Sequence, residues 1–155
     1  MKNFIGIESQ QAETLAQELN TLLASFQLHY QSLRGFHWNI TGRKFFELHL
    51  KFEEYYNDAL LKIDEIAERI LALGGKPLHT FSQYLQHSFI TENGYVSTEK
   101  ESVELVAAHL SALLAAERKL MRLAADASDE GTTSLLSEYI KQQEKTLWML
   151  RAWSE

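Results

Sequence analysis

Residues 36–69 read F-H-W-N-I-T-G-R-K-F-F-E-L-H-L-K-F-E-E-Y-Y-N-D-A-L-L-K-I-D-E-I-A-E-R. The stretch closes one helical pattern, crosses a turn and fills most of a second. It carries two of the six histidines, His37 and His49, with the carboxylates Glu53, Asp64 and Glu68. Imidazole and carboxylate are the donors that suit hard and borderline metal ions. On a wheel at ~100° per residue with His49 at zero, Glu53 falls at ~40°, Asp64 at ~60° and Glu68 at ~100°. Tyr56 at ~340° and Leu60 at ~20° lie on the same stripe. A solvated charge face is not usually interleaved with apolar side chains in this way.

Outward from this stretch the pattern stays helical. Upstream, over about residues 8–36, Leu15, Leu19, Leu22, Leu23, Phe26, Tyr30 and Leu33 recur at three- and four-residue steps. Asn39 to Gly42 is a turn composition. The second helix is expected over about residues 43–73, ~46 Å long at ~1.5 Å per residue, and ends at Gly74, Gly75 and Pro77. Residues 75–98 form a connection too long to lack internal structure. Thr80 and Gln83 make a capping box, which predicts a short helix over about residues 81–88. A second box, Thr98 to Glu101, opens a third long helix to about residue 125. Residues 126–131 read as a loop. Thr132 or Thr133 is expected to cap a fourth long helix that runs to about residue 153. Short first and last loops make antiparallel pairs, and the long middle connection leaves the second and third long helices parallel. That is an all-α, ferritin-like four-helix bundle with a short extra helix in the crossover, one domain over residues 1–155.

Composition agrees and excludes alternatives. Hydrophobic residues make up 45% of the chain, enough for one core, and a single proline leaves long helices unbroken. The absence of cysteine excludes disulfide frameworks and thiolate metal sites. No apolar run reaches the ~18 residues of a membrane span, and the N-terminus lacks a secretory pattern, so a cytoplasmic protein is expected. A formal charge of −6 argues against general nucleic-acid affinity, and the first 33 residues hold one Lys or Arg, Lys2.

Spacing then decides how the metal-type residues are used. His49 and Asp64 are fifteen residues apart, or ~22 Å along a helix. Metal–ligand bonds are only ~2 Å, so no single ion reaches both. One helix presents two half-sites. Two copies packed antiparallel about a two-fold axis near Tyr56 and Asn57 complete them in pairs. His37, just before the turn, converges on the His49 end. The expected site takes His37 and His49 from one chain and Asp64 and Glu68 from its mate, with Glu53 as a further direct or water-mediated ligand. An intrachain di-iron site needs Glu-x-x-His pairs. The residues three before His29, His37, His49, His79, His87 and His109 are Phe26, Arg34, Phe46, Lys76, Tyr84 and Val106, so that site is not expected.

These residues also carry a resemblance. The pattern H-W-x-x-x-G-x-x-F-x-x-L-H-x-x-F-E-E-x-Y spans His37, Trp38, Gly42, Phe45, Leu48, His49, Phe52, Glu53, Glu54 and Tyr56. D-x-x-A-E-R follows at Asp64, Ala67, Glu68 and Arg69. Together they resemble the signature of the Dps mini-ferritins (DNA-binding proteins from starved cells), and the likeness extends over nearly the whole chain. It implies a hollow homododecamer that oxidises Fe(II), preferably with hydrogen peroxide, and stores the ferric product, with other divalent metals such as Zn able to enter the same site. The ferroxidase ligands it implies are His37, His49, Glu53, Asp64 and Glu68. Neutral imidazoles would anchor Fe(II), and Asp64 and Glu68 would favour Fe(III) by charge. Family members that bind DNA through a tail carry a basic N-terminal extension; this chain has only Lys2 there, so DNA binding of that kind is not expected. A nucleoid-protecting protein with secondary metal chemistry is the alternative.

Blander roles stand beside these. Asp64 and Glu68 are like charges at i, i+4, a cost of a few tenths of a kcal/mol when exposed; Lys62 and Arg69 are expected to offset part of it, a bound cation more. Trp38 is either packing or a ring that intercepts stray oxidant. Asp126, Asp129 and Glu130 are either favourable charge at a helix N-terminus or, as the resemblance implies, an iron-entry pore on a three-fold axis. His29, His79, His87 and His109 are expected to be structural.

Overall fold

A computed structural model describes residues 3–155; Lys2 lies outside them. Five helices follow in order: α1 (Ser9–Asn39), α2 (Phe45–Ala72), α3 (Phe81–His87), α4 (Glu99–Asp126) and α5 (Glu130–Ser154). No strand occurs among the described residues, and no helix is long and apolar enough to cross a membrane. The chain is an all-α ferritin-like bundle of four long helices with α3 in the crossover.

Cross-links give the directions. Gln11 meets the Asp126 carbonyl, Glu18 pairs with Lys119, and His29 meets His109. α4 is therefore antiparallel to α1. His37 meets His49 at the α1–α2 turn, so α2 is also antiparallel to α1 and parallel to α4. Lys62 reaches Gln142 while Arg69 reaches Asp129, which sets α5 antiparallel to α2. Phe26, Leu33, Phe52, Leu113 and Leu136 are closed off from solvent where the four meet.

Residues 75–98 are laced along α1 by polar side chains inside that helix. Asn20 bonds the Lys76 carbonyl and the Leu78 N–H, Ser25 accepts from Phe89 N–H, and Ser32 meets Asn93. Thr41 N–H donates to the Ser97 carbonyl beyond the end of α1. Backbone groups outside helices and strands need such partners, and this accounts for Asn and Ser in the middle of a long helix, where their intrinsic preference is for turns and caps.

The helix ends follow the sequence in part. Thr80 and Gln83 form the complete capping box. Gly74 has φ +84°, and the Gly74 and Gly75 N–H groups return to the Leu71 and Ile70 carbonyls, each at 2.9 Å, a Schellman ending. The Thr98 side chain makes no cap bond to an amide, unlike the box expected there. The fourth long helix starts earlier than expected: Asp129, not Thr132 or Thr133, is its cap, accepting from Thr132 N–H at 2.9 Å. The reason is a second Schellman ending at α4, with Ser128 at φ +52° and the Asp129 N–H on the Ala124 carbonyl. Asp129 thus closes one helix and opens the next, and the expected loop shrinks to three residues, 127–129.

Candidate metal centre

The last turn of α1 and the second turn of α2 bring His37 and His49 together. Helix C-termini leave carbonyls without intrahelical donors, and the His37 carbonyl is one. His49 Nδ1–H donates to it at 2.8 Å, and His37 Nδ1–H donates to the His49 carbonyl at 2.7 Å. A carbonyl only accepts, so both Nδ1 atoms carry a proton, which leaves Nε2 of each ring as the position for a metal ion. Backbone carbonyls that set the tautomer of a ring are how metal-ligating histidines are oriented. The rings stack at 3.8 Å and 19°. Phe45 stacks on His49 at 5.0 Å, and Tyr56 meets His37 edge-on at 5.4 Å. Two donors are therefore held rigid by one aromatic sandwich.

The carboxylate half stands further along α2. The helix is continuous from Phe45 to Ala72, so His49 and Asp64 remain ~22 Å apart. Asp64 and Glu68 are exposed, and neither has an ion pair or hydrogen bond among the described residues. Lys62 and Arg69, expected to offset their charge, point elsewhere. Lys62 is buried against Asp58 and Gln142, and Arg69 donates to Asp129 Oδ1 at 2.6 Å and Thr132 Oγ1 at 2.9 Å. Glu53 is half-buried between the two groups. The same arc of α2 exposes Phe46 (79%), Leu50 (64%), Leu60 (47%), Leu61 (66%) and Leu71 (58%). An apolar stripe of that kind, carrying unpaired carboxylates, has the character of a surface that another subunit covers.

Within one chain, the described residues contain no group of three or more His, Cys, Asp or Glu placed to hold a metal ion. The histidines inside the bundle are already partnered. Ser32 donates to the Leu28 carbonyl, so Asn93, which also touches Ser32, presents its amide nitrogen and donates to His109 Nε2 at 3.2 Å. His109 must then donate from Nδ1 to His29 Nδ1 at 3.3 Å. Burial, with the neighbouring His109 and Lys62 for His29, pushes His29 down to about 3; burial pushes His109 down to about 4. Both are neutral structural groups; the exposed His79 and His87 only face local carbonyls through Nδ1.

Of the three acidic residues at the α4–α5 junction, Asp126 and Glu130 are exposed. Asp129 is not available to line a pore. Its carboxyl is shut inside the chain; burial acts to raise it, but Thr132 and Arg69 hold it below the usual range. Trp38 lies outside the aromatic sandwich, 57% exposed, with the Arg34 guanidinium 4.7 Å from its ring. The contributions of Phe45 and of the two backbone carbonyls were not foreseen from spacing, although the F-x-x-x-H step of Phe45 to His49 was a readable signal for stacking.

Residues 16–155 match the profile of the ferritin-like domain family, which places the chain in the class of ferritin-like proteins. A DNA protection during starvation protein of Porphyromonas gingivalis is 42% identical over 149 residues, covering 96% of this chain and 94% of that one. A Dps protein of Vibrio cholerae O1, described as one of a broad superfamily of ferritin-like diiron-carboxylate proteins, superposes with a TM-score of 0.97 at 47% identity. It covers 99% of this chain and 97% of that one. Dps from Listeria innocua soaked with zinc superposes at 0.87 with 27% identity, over 90% and 94%. The chain belongs to the Dps family of this superfamily.

Proposed function

We propose that the protein is a cytoplasmic ferroxidase and iron store, assembled as a hollow homododecamer in which each two-fold pair of chains completes two metal sites. His37 and His49 of one chain bind Fe(II) through their free Nε2 atoms, and Asp64 and Glu68 of the mate supply the oxygen ligands and the charge, with Glu53 alongside. The observation that carries this reading is the pairing of opposites on α2. Locked imidazoles, His49 joined by His37 from α1, stand at one end, and carboxylates without cations stand ~22 Å away at the other. An antiparallel mate brings each to what it lacks.

Charge assigns the roles. Two neutral imidazoles leave room for a second ligand and for peroxide, while two carboxylates stabilise Fe(III) more than Fe(II). Burial between subunits strengthens that preference, because screening by water is lost. Two Fe(II), one hydrogen peroxide and two waters yield two FeOOH and four protons, without free hydroxyl radical. Zn2+, which takes the same ligands with tetrahedral preference, competes as an inert occupant. Asp126 and Glu130 attract Fe(II) at the entry pore, and Trp38 intercepts oxidant that escapes. DNA contact is not part of this reading, because a formal charge of −6 disfavours general phosphate binding.

Loading tests it. Fe(II) and peroxide added to the assembled protein should build a ferric core with proton release at the stated ratio. Replacing His37, His49, Asp64 and Glu68 by Ala should abolish both. An unchanged oxidation rate in that variant, or a particle mass of only one or two chains, overturns the proposal.

A further inference from the structure

Among the described residues three buried side-chain polar atoms lack a hydrogen-bond partner: Glu117 Oε2, Gln143 Oε1 and Trp153 Nε1. The first two belong to one contact. Gln143 Nε2 donates to Glu117 Oε1 at 2.7 Å across the seam between α4 and α5. Glu117 is 0% exposed and Gln143 is 4% exposed. An ionised Glu117 would leave two buried acceptors with no donor from the chain, a costly arrangement. Turning the amide over does not help, because its oxygen would then face Oε1. In either orientation the carboxyl needs a proton.

A metal ion is a poor alternative. Hard cations take six or more oxygens, whereas this seam offers two and has no third His, Cys, Asp or Glu ligand beside it. The Lys62 ammonium of α2 already acts on the same carboxyl. A proton on Oε2, shared with Gln143 Oε1, would satisfy both orphaned oxygens at once. We propose that Glu117 is a neutral acid in the folded chain, its Oε2–H donating to Gln143 Oε1 to close an acid–amide ring, and that losing this proton loosens the α4–α5 seam.

The surrounding groups fit. Tyr139 of α5 is committed to Glu65 through its hydroxyl, and Arg118, next to Glu117 on α4, is paired with Glu144 at the surface. His29 of α1 is neutral; Lys62 acts on it, and it is not among the groups that act on Glu117. Burial raises Glu117 to about 7, against the opposing pull of Gln143, Lys62 and Arg118. A raised folded value means that the contribution is complete below the ordinary 4.5 and is lost as pH rises through about 7. The inference stands on the seam alone and is independent of the iron chemistry.

Infrared titration of the assembled full-length protein tests it. The expected result is a protonated-carboxyl C=O band at neutral pH, absent in Glu117→Gln and fading as pH rises past about 7. Glu117→Gln places an amide that can make the same two bonds, so it should fold, and the melting temperature of wild type minus that of the variant should fall as pH rises through this window. Gln143→Leu removes the partner and should shift the acid band to higher frequency, which decides the matter if Glu117→Gln fails to assemble. No band at neutral pH, a flat melting difference, or one tightly held cation per chain that disappears with Glu117→Gln overturns the proposal.

Discussion

Mixing two inactive variants separates an intersubunit site from any site within one chain. One variant carries His37→Ala and His49→Ala; the other carries Asp64→Ala and Glu68→Ala. Under the proposed pairing each alone has no complete site, because the ~22 Å between His49 and Asp64 requires a site to draw on both chains of a pair. In a mixed pair the arithmetic changes. The intact imidazoles of the second variant meet the intact carboxylates of the first, giving one wild-type site, while the other site has neither half. Random pairing of equal amounts makes half the pairs mixed, each with one complete site of its two, so about one quarter of the wild-type sites return. The assay is peroxide-driven Fe(II) oxidation per chain, after the two are unfolded and reassembled together. The expected rate is about a quarter of wild type, from two preparations that are each near zero. A mixture no faster than its components refutes the two-fold site; so does either variant alone keeping full rate.

Three further outcomes follow from the fold. Gly74→Ala puts a side chain at φ +84° and should cost about 1 kcal/mol, read as a drop of about 2–4 °C in melting temperature; no drop would refute the Schellman assignment. Arg69→Met strands the Asp129 carboxylate, whose side chain is 1% exposed, and should cost about 3 kcal/mol at neutral pH. Because Asp129 is held below its ordinary value, the pair contributes above that value and is lost as pH falls through the lowered one. The Arg69→Met penalty measured by thermal melts should therefore shrink in strong acid, and a pH-independent penalty contradicts it. His29 and His109 are depressed to about 3 and about 4, so their contribution is present above the ordinary histidine value and is lost as pH falls through the lowered ones. In the Glu117→Gln background, which removes the opposing titration, the melting temperature should fall steadily as pH drops from 6.5 toward 4; a flat profile there means the pair is not buried neutral.

Much of this molecule was legible before any coordinates. Regular three- and four-residue apolar steps, one proline and a long connection led to four helices in the ferritin-like order, because burial of an apolar stripe is a property of spacing. Gly74 and the Thr80 box marked their helix ends because those signals are local. Thr132 and Thr133 misled for the opposite reason. Which residue caps α5 depends on how α4 closes, and Ser128 entering the left-handed region is not visible in a run of Asp, Ala and Ser.

The metal-type residues divide in the same way. The face they share and the distance that separates them came from residue order and helix rise alone, since both are fixed by backbone geometry. What each side chain does with its charge did not. That His37 and His49 lock one another through their own carbonyls depends on the register between α1 and α2. That Lys62 and Arg69 turn inward, leaving Asp64 and Glu68 bare, depends on α5 offering Gln142, Asp129 and Thr132. Asp129 lost its place among the surface acids for that reason. Order along the chain determines which groups share a face; only packing between helices determines which of them are satisfied and which remain for a ligand, because hydrogen bonds and ion pairs reach only a few ångströms across the folded bundle.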